Sequence, residues 1–528
     1  MLESARAFLD RMVPEVERLE TASNLAYWEF SRTGDKEAEQ KFTALYAQLR
    51  QLFADREAFA ELKALLAEGT ELDPLTRRQL RLLYCRYLPN QVEPEALREV
   101  VRRESELESL FANFRATLDG QPVPDNEITR LLKEENDSAR REQAWASSKQ
   151  IGEEAAPKVI ELVELRNDLA RRLGYADFYR LSLATQELDE TDLFAVLERL
   201  EQVTREPFRR AKAALDSRLA ERFGVRPEEL RPWHYADPFF QTAPAAGVDL
   251  DPYFAGLDVV DLVRRYYEGI GLDIRDISGR SDLFERPGKN QHAFCTHLDR
   301  SGDVRVLANV RPDARWTKTL LHEMGHAVYD KYLDPALPYL LRQPAHIFTT
   351  EAIAMMFERL VNDARWLEEV RGLAGAEARS LAEAARAQLR LNELIFVRWG
   401  LVVVYFEREL YRDPRQDLNR VWREKVESLQ LLNYPPNRTA PDWAAKIHLA
   451  TVPVYYHNYL LGTVAASQLR RAVERHAGEG ALVGRSEAGW FLVDRVFRLG
   501  ARLPWQDLLR QATGEPLNPE QFVEDFVG

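Results

Sequence analysis

The chain of 528 residues is acidic and has the composition of an ordinary globular protein. Its 85 acidic side chains against 72 Lys and Arg give a formal net charge of −13, which disfavours nucleic acid and anionic lipid as partners. Hydrophobic residues make up 45% and charged residues 30%, so we expect a large folded core and exclude disorder as the main state. Two cysteines, Cys85 and Cys295, exclude a disulfide framework and favour a reducing compartment.

No segment of the sequence predicts contact with a membrane. The first ten residues lack the basic start and apolar stretch of a secretory signal, so we expect a cytoplasmic protein. The most apolar segment, residues 394–406, is shorter than the roughly 20 residues that span a bilayer and contains Arg398. We therefore predict a buried helix there.

Apolar residues recur at three- and four-residue steps through residues 1–230 and 360–528, as at Phe42, Leu45 and Leu49. This period is typical of amphipathic helices, so the predicted fold class is mainly α. Between these regions, residues 292–298 and 304–308 are extended in pattern and flank the turn sequence Asp-Arg-Ser-Gly-Asp. We predict a small β-hairpin there.

Directly after the predicted hairpin comes the sequence His322-Glu323-Met-Gly-His326, an H-E-x-x-H motif. Residues four apart lie on one face of a helix, so His322 and His326 can hold one ion while Glu323 lies beside it. This arrangement is typical of catalytic zinc, with Glu323 as the general base. The alternative is a pair of histidines that form structural hydrogen bonds within a helix.

A catalytic zinc needs a third protein ligand and an open position for water. A third histidine six residues beyond His326 is excluded, because Tyr332 occupies that place. We predict Glu351 as the third ligand, in the first turn of a helix capped by Thr349 or Thr350. The alternative is that Glu351 only stabilises the helix dipole.

The chain resembles the gluzincin peptidases related to angiotensin-converting enzyme, a peptidyl-dipeptidase, and the thimet oligopeptidase and oligoendopeptidase group. The zinc motif followed by 24 residues and then Glu351-Ala-Ile carries most of this likeness. Further similar segments extend it through most of the chain: Leu162-Val-Glu-Leu-Arg-Asn167, Gln241-Thr242, His292-Ala293 and Lys446-Ile-His448 with the tyrosines that follow.

The resemblance implies a single catalytic unit over residues 1–528, with two interleaved helical lobes and a deep central channel. Residues 1–240 would form a helical lid and channel wall, and residues 290–360 the hairpin and helices of the zinc site. Residues 361–528 would form a helical lobe with the substrate-binding segment. We expect a zincin-like peptidase fold.

The resemblance also implies a role for each site residue. His322, His326 and Glu351 would hold one Zn²⁺, and Glu323 would be the catalytic base. Two further catalytic residues would stabilise the oxyanion: His448 and Tyr459. Five residues are candidates for binding the peptide. Gln241, Lys446 and Tyr456 would bind its C-terminal carboxylate, Tyr455 is the alternative to Tyr456, and His292 would align the peptide.

Two positions depart from the converting enzyme. Met355 stands four residues after Glu351, where that enzyme has an acidic residue, so another group must orient the zinc histidine. Asn458 stands in place of its chloride-binding arginine, which makes chloride activation doubtful.

The expected activity is the hydrolysis of short unfolded peptides, with release of C-terminal dipeptides. Endo-acting oligopeptidase cleavage is the alternative within the enzymes, and a catalytically silent peptide-binding protein is the alternative of another class. The sequence does not predict an oligomeric state.

Overall fold

A computed structural model describes residues 2–67, 72–244 and 249–527. The structure is 70% helical and has two small antiparallel sheets among the described residues, which confirms the mainly α fold class. The helices are α1 (Leu2–Thr33), α2 (Lys36–Phe53), α3 (Arg56–Ala67), α4 (Pro74–Tyr87), α5 (Pro94–Asn113), α6 (Asp125–Glu134), α7 (Ser138–Ser147), α8 (Ile151–Arg172), α9 (Phe178–Thr185), α10 (Glu190–Phe223), α11 (Asp251–Phe254), α12 (Val259–Gly269), α13 (Arg275–Arg280), α14 (Ala314–Lys331), α15 (Ile347–Glu358), α16 (Ala364–Glu369), α17 (Gly375–Arg412), α18 (Leu418–Leu429), α19 (Ile447–Thr451), α20 (His457–Ala477), α21 (Ser486–Arg495), α22 (Trp505–Thr513) and α23 (Glu520–Phe526). The strands are β1 (Ala116–Leu118), β2 (Gln121–Val123), β3 (Phe294–His297) and β4 (Val304–Leu307).

The chain divides into two compact units, each built from separate stretches of sequence. The first unit comprises Met1–Gln91, Val248–Arg386 and Leu461–Phe522. The second unit comprises Val92–Gly247, Ala387–Leu460 and Val523–Gly528.

The first unit has an apolar core where α1, α3 and α4 pack together. Its buried side chains include Phe8, Leu62, Leu83 and Tyr87. In the second unit, β1, α6 and α7 enclose another core, which includes Trp145. Both cores come from helix faces with the three- and four-residue spacing of the sequence.

The predicted buried helix at residues 394–406 is confirmed. These residues belong to α17, and most of their apolar side chains are buried. Arg398 is also buried, and its guanidinium donates to Glu201 and Thr204, so its charge is satisfied within the second unit. Among the described residues, no helix is long and apolar enough to cross a bilayer.

The predicted hairpin is formed by β3 and β4, which pair antiparallel from Phe294 opposite Leu307 to His297 opposite Val304. Asp299 holds the turn, because its carboxylate accepts the backbone N–H groups of Ser301 and Asp303. The predicted strand start at His292 is wrong. His292 lies in an exposed bend before the strand, where its N–H donates to Asn290.

Helix α14 carries the H-E-x-x-H motif and packs against the hairpin, α12 and α15. Its start is fixed by Asp313, whose carboxylate accepts the N–H of Trp316. Gly325 faces α15 so closely that an added Cβ would lie 2.8 Å from the Cα of Ala354. The glycine of the motif therefore sets the distance between the two helices.

Helix α15 begins earlier than the sequence predicts. Its N-cap is His346, whose ring nitrogen Nδ1 accepts the N–H of Phe348, so neither Thr349 nor Thr350 is the cap. Glu351 is thus the fifth helical residue and lies in the second turn. The prediction is wrong because an imidazole caps this helix, where Ser, Thr, Asp or Asn is the usual N-cap residue.

Replacement of Gly325 by Ala tests this helix contact. We expect a loss of about 1–3 kcal/mol in the free energy of unfolding, because the methyl group meets backbone atoms that cannot move aside alone. Gly279→Ala is the matched control, since no atom lies within 4 Å of its added Cβ. Urea unfolding measures both; equal stability of the two variants would contradict the close contact.

Candidate metal centre and substrate-binding residues

The three predicted metal ligands converge in the first unit. His322 and His326 extend from α14 and Glu351 from α15, with ligand atoms all within 4.8 Å of one another. The two Nε2 atoms are 3.2 Å apart, and His322 Nε2 is 3.7 Å from Glu351 Oε2. Gly462 leaves room for this carboxylate, because a Cβ there would lie 3.2 Å from that of Glu351.

This donor set fits one zinc ion. Two imidazole nitrogens bound at 2.0–2.1 Å and a tetrahedral angle lie about 3.4 Å apart, close to the spacing of His322 and His326. Two imidazoles and one carboxylate also leave a fourth position open for water or substrate.

Each histidine is held by its other ring nitrogen. His322 Nδ1 lies 2.9 Å from Glu358 Oε2, and His326 Nδ1 lies 2.7 Å from Thr350 Oγ1. With the protons on Nδ1, both Nε2 atoms present lone pairs toward the common point. Glu358 therefore orients the ring of His322, a role that the thioether of Met355 could not take.

Neither Glu358 nor Thr350 is predicted from the sequence as a partner of the zinc histidines. Glu358 stands seven residues after Glu351, a spacing that returns to the same helix face after two turns, and this was the available signal. Thr350 had been considered as a helix cap. Its contact with His326 joins two helices, and no sequence spacing encodes such a contact.

The charges of the centre favour a cation. Burial works against protonation of His322, yet the carboxylates of Glu358, Glu323 and Glu351 raise its pKa to about 9. Burial and the neighbouring His322 lower the pKa of His326 to about 3, which keeps it neutral. Burial raises the pKa of Glu323 to about 7, with further contributions from Glu351 and Glu358. The carboxylates thus create a negative potential at the His322 imidazole.

In the second unit, the structure brings Gln241, Lys446 and Tyr456 together. Lys446 Nζ donates to Gln241 Oε1 at 3.0 Å and lies 5.6 Å from the centre of the Tyr456 ring. Asp237 fixes the loop of Gln241, because its carboxylate accepts the backbone N–H of Gln241 at 3.0 Å. Tyr456 accepts a hydrogen bond from Trp399 Nε1, which leaves its own O–H able to donate.

The other predicted residues of this segment lie beside Tyr456. The ring centre of His448 is 5.2 Å and that of Tyr459 is 5.3 Å from the centre of Tyr456. Tyr455 meets Tyr459 edge to face, with ring centres 5.3 Å apart. Helix α20 begins at His457, so Tyr459 lies in its first turn and Tyr456 directly precedes the helix. Burial and the positive charge of Lys446 lower the pKa of His448 to about 4, so its ring is neutral at physiological pH.

Comparison with known proteins identifies the family. The model of peptidase family M3 matches residues 131–528, about three quarters of the chain. The chain belongs to peptidase family M3. A model of the angiotensin-converting enzyme family matches residues 2–226, and members of both families are zinc-dependent. The predicted relationship to the gluzincin peptidases is thereby confirmed.

Two relatives share part of the chain. Carboxypeptidase 1 of Bacillus subtilis (strain 168) is 26% identical over 264 residues, which cover 44% of this chain and 51% of the relative. The angiotensin-converting enzyme-like protein Ace3 of Mus musculus is 24% identical over 263 residues, which cover 46% of this chain and 35% of the relative. The chain thus matches about half or less of the length of each relative.

Replacement of Glu358 by Gln tests its hold on His322. We expect zinc affinity to fall about 10–100-fold, because a neutral amide stabilises the ligand imidazole less than a carboxylate does. Competition with a chelator measures the affinity. Glu20→Gln is the control: Glu20 is partly buried in the same unit, as Glu358 is, but pairs with Arg86 and Arg300. An equal loss in both variants would show a general effect of removing buried charge.

Proposed function

We propose that this protein uses one zinc ion to hydrolyse peptide bonds in short unfolded peptides, and that it releases dipeptides from the C-terminus. The convergence of His322, His326 and Glu351, together with membership of family M3, supports the metallopeptidase chemistry. The expected lobes and central channel stay predictions.

A bound zinc would polarise the substrate carbonyl and make water available as a nucleophile at neutral pH. Glu323 lies at the middle of α14 beside His322 and is only 9% exposed. In our proposal its carboxylate takes a proton from the attacking water and passes it to the leaving nitrogen. The backbone N–H of Cys295 on β3 donates to this carboxylate and opposes the rise of its pKa.

Lys446 is the observation that favours C-terminal recognition. It is only 8% exposed, donates to an amide oxygen, and lies against the rings of Phe239, Trp399 and Tyr456. Within the described part of the chain it forms no ion pair with a carboxylate. The charge of Asp237 acts on this ammonium group only through space. Since a buried charge without a directly paired counterion is costly, the group suits a substrate carboxylate, with Gln241 and the Tyr456 hydroxyl as further donors.

His448 and Tyr459 are the proposed oxyanion donors. His448 is neutral, and its Nδ1 is buried without a hydrogen-bond partner in the described structure. A neutral imidazole that carries its proton on Nε2 can donate to a developing negative oxygen. Tyr455 stays the alternative to Tyr456 for binding the C-terminus of the substrate. His292 is exposed, and we propose only that it contacts the peptide.

The name of the Bacillus relative, a carboxypeptidase, agrees with action at the C-terminus. The match to family M3 leaves endo-acting oligopeptidase cleavage as the second candidate. A silent peptide-binding protein would retain the substrate residues and lack turnover.

Replacement of Glu323 by Gln tests the chemistry. We expect kcat to fall about 10²–10⁴-fold, because the variant has no base, while peptide and zinc still bind. A peptidase assay with and without a chelator, together with zinc quantification, measures this. Equal turnover by both proteins would refute the assignment, and binding without turnover by the wild type would favour the silent alternative.

Mass spectrometry of a decapeptide digest tests the cleavage mode. We expect successive loss of two C-terminal residues, and we expect amidation of the C-terminus to stop it, because the carboxylate that Lys446 would bind is gone. Lys446→Gln should raise KM for the free acid about tenfold or more and leave the amide unchanged. Internal cuts that are indifferent to amidation would establish the oligopeptidase mode, and loss of single residues a carboxypeptidase.

A further inference from the structure

Val454 has a backbone conformation that its side chain disfavours. Its φ is +52°, in the left-handed region that glycine adopts freely and that a β-branched residue almost never enters. Such a residue stays there only when its surroundings hold it, and these strained positions cluster at functional sites. Val454 is buried and directly precedes Tyr455 and Tyr456.

Two side chains hold Val454, one on each side. Its N–H donates to Glu407 Oε1 on α17 at 2.7 Å, and its C=O accepts from Gln186 Nε2, after α9, at 3.0 Å. Gln186 also contacts the first turn of α20, because its Oε1 accepts from Asn458 Nδ2 at 3.2 Å. All four residues belong to the second unit.

Glu407 is buried at a position where a carboxyl group lowers the stability of the fold. It is 3% exposed, and burial raises its pKa to about 8, although the N–H of Val454 and the charge of Arg166 oppose that shift. Arg166 donates its own hydrogen bonds to Tyr411 and Glu104. A leucine would fill the same space without the cost of burying a carboxyl group.

We propose that Glu407 and Gln186 are positioning residues that hold Val454 in its left-handed conformation and thereby aim Tyr456 and Tyr459 at the substrate. This inference rests on the proposed function for its kinetic consequences. The conformation of residue 454 sets the direction in which the chain enters α20. Relaxation of Val454 into the extended region would therefore turn the Tyr456 ring away from its place beside His448 and shift Tyr459, which packs against Tyr456.

Kinetics of Glu407 variants test whether the hydrogen bond from the Val454 N–H to Glu407 is needed for activity. Glu407→Leu should lower kcat/KM about 30-fold, since small misplacements of substrate-contacting groups have effects of that size. Glu407→Gln keeps an acceptor for the N–H and should stay within about threefold of the wild type. Tyr411→Phe, one turn further along α17, is the control and should leave the activity unchanged. Wild-type kcat/KM in Glu407→Leu would overturn the proposal.

Val454→Gly separates positioning from general support of the fold. Glycine adopts a positive φ without strain, so Glu407→Leu in the Val454→Gly background should lower kcat/KM only about threefold. A merely structural role of Glu407 predicts the same 30-fold loss in both backgrounds. That additive result would overturn the proposal.

Hydrogen exchange provides a readout that does not depend on activity. Amides of residues 452–460 should exchange faster in Glu407→Leu and in the less buried variant Gln186→Ala, while Glu407→Gln should exchange like the wild type. If Glu407→Leu does not fold, the Gln186→Ala result decides, and unchanged exchange overturns the proposal. If the wild type lacks peptidase activity, the proposed function fails, and exchange still tests the hold on Val454.

Discussion

The close contact between α14 and α15 is the constraint on which the metal centre depends. Gly325 lies between the two motif histidines and meets the backbone of Ala354, so α14 can approach α15 only where a side chain is absent. This approach brings Glu351 to the histidine pair, and it also places Glu358 and Thr350 on the far nitrogens of the two rings. The ligands and their orienting groups therefore come from a single helix pair.

The charges of the two units are complementary to the substrate chemistry that we propose. In the first unit, carboxylates surround His322 and favour a cation. In the second unit, Lys446 is buried beside aromatic rings, and burial lowers its pKa to about 8, so it favours an anion. The carboxylates around His322 and the ammonium group of Lys446 are each buried at a cost in stability. A bound cation would offset the first cost and a bound carboxylate the second.

Those parts of the site that depend on a local period could be predicted from the sequence. Histidines four apart must share a helix face, and an Asp-Arg-Ser-Gly-Asp turn between extended stretches must form a hairpin. The start of α15 was missed because His346 caps it through a ring nitrogen. Glu358 was missed because its contact joins two helices. Val454 was missed because nothing in a valine predicts a positive φ. The side chains that bond its N–H and C=O, Glu407 and Gln186, are distant in sequence.

The proposed function depends most directly on a single zinc ion bound by residues of α14 and α15. Anomalous diffraction at the zinc absorption edge, from crystals of the zinc-loaded protein, locates the ion without reference to activity. We predict one strong peak about 2.0–2.2 Å from His322 Nε2, His326 Nε2 and a carboxylate oxygen of Glu351. A peak elsewhere, or a Glu351 carboxylate directed away from both imidazoles, would contradict the account.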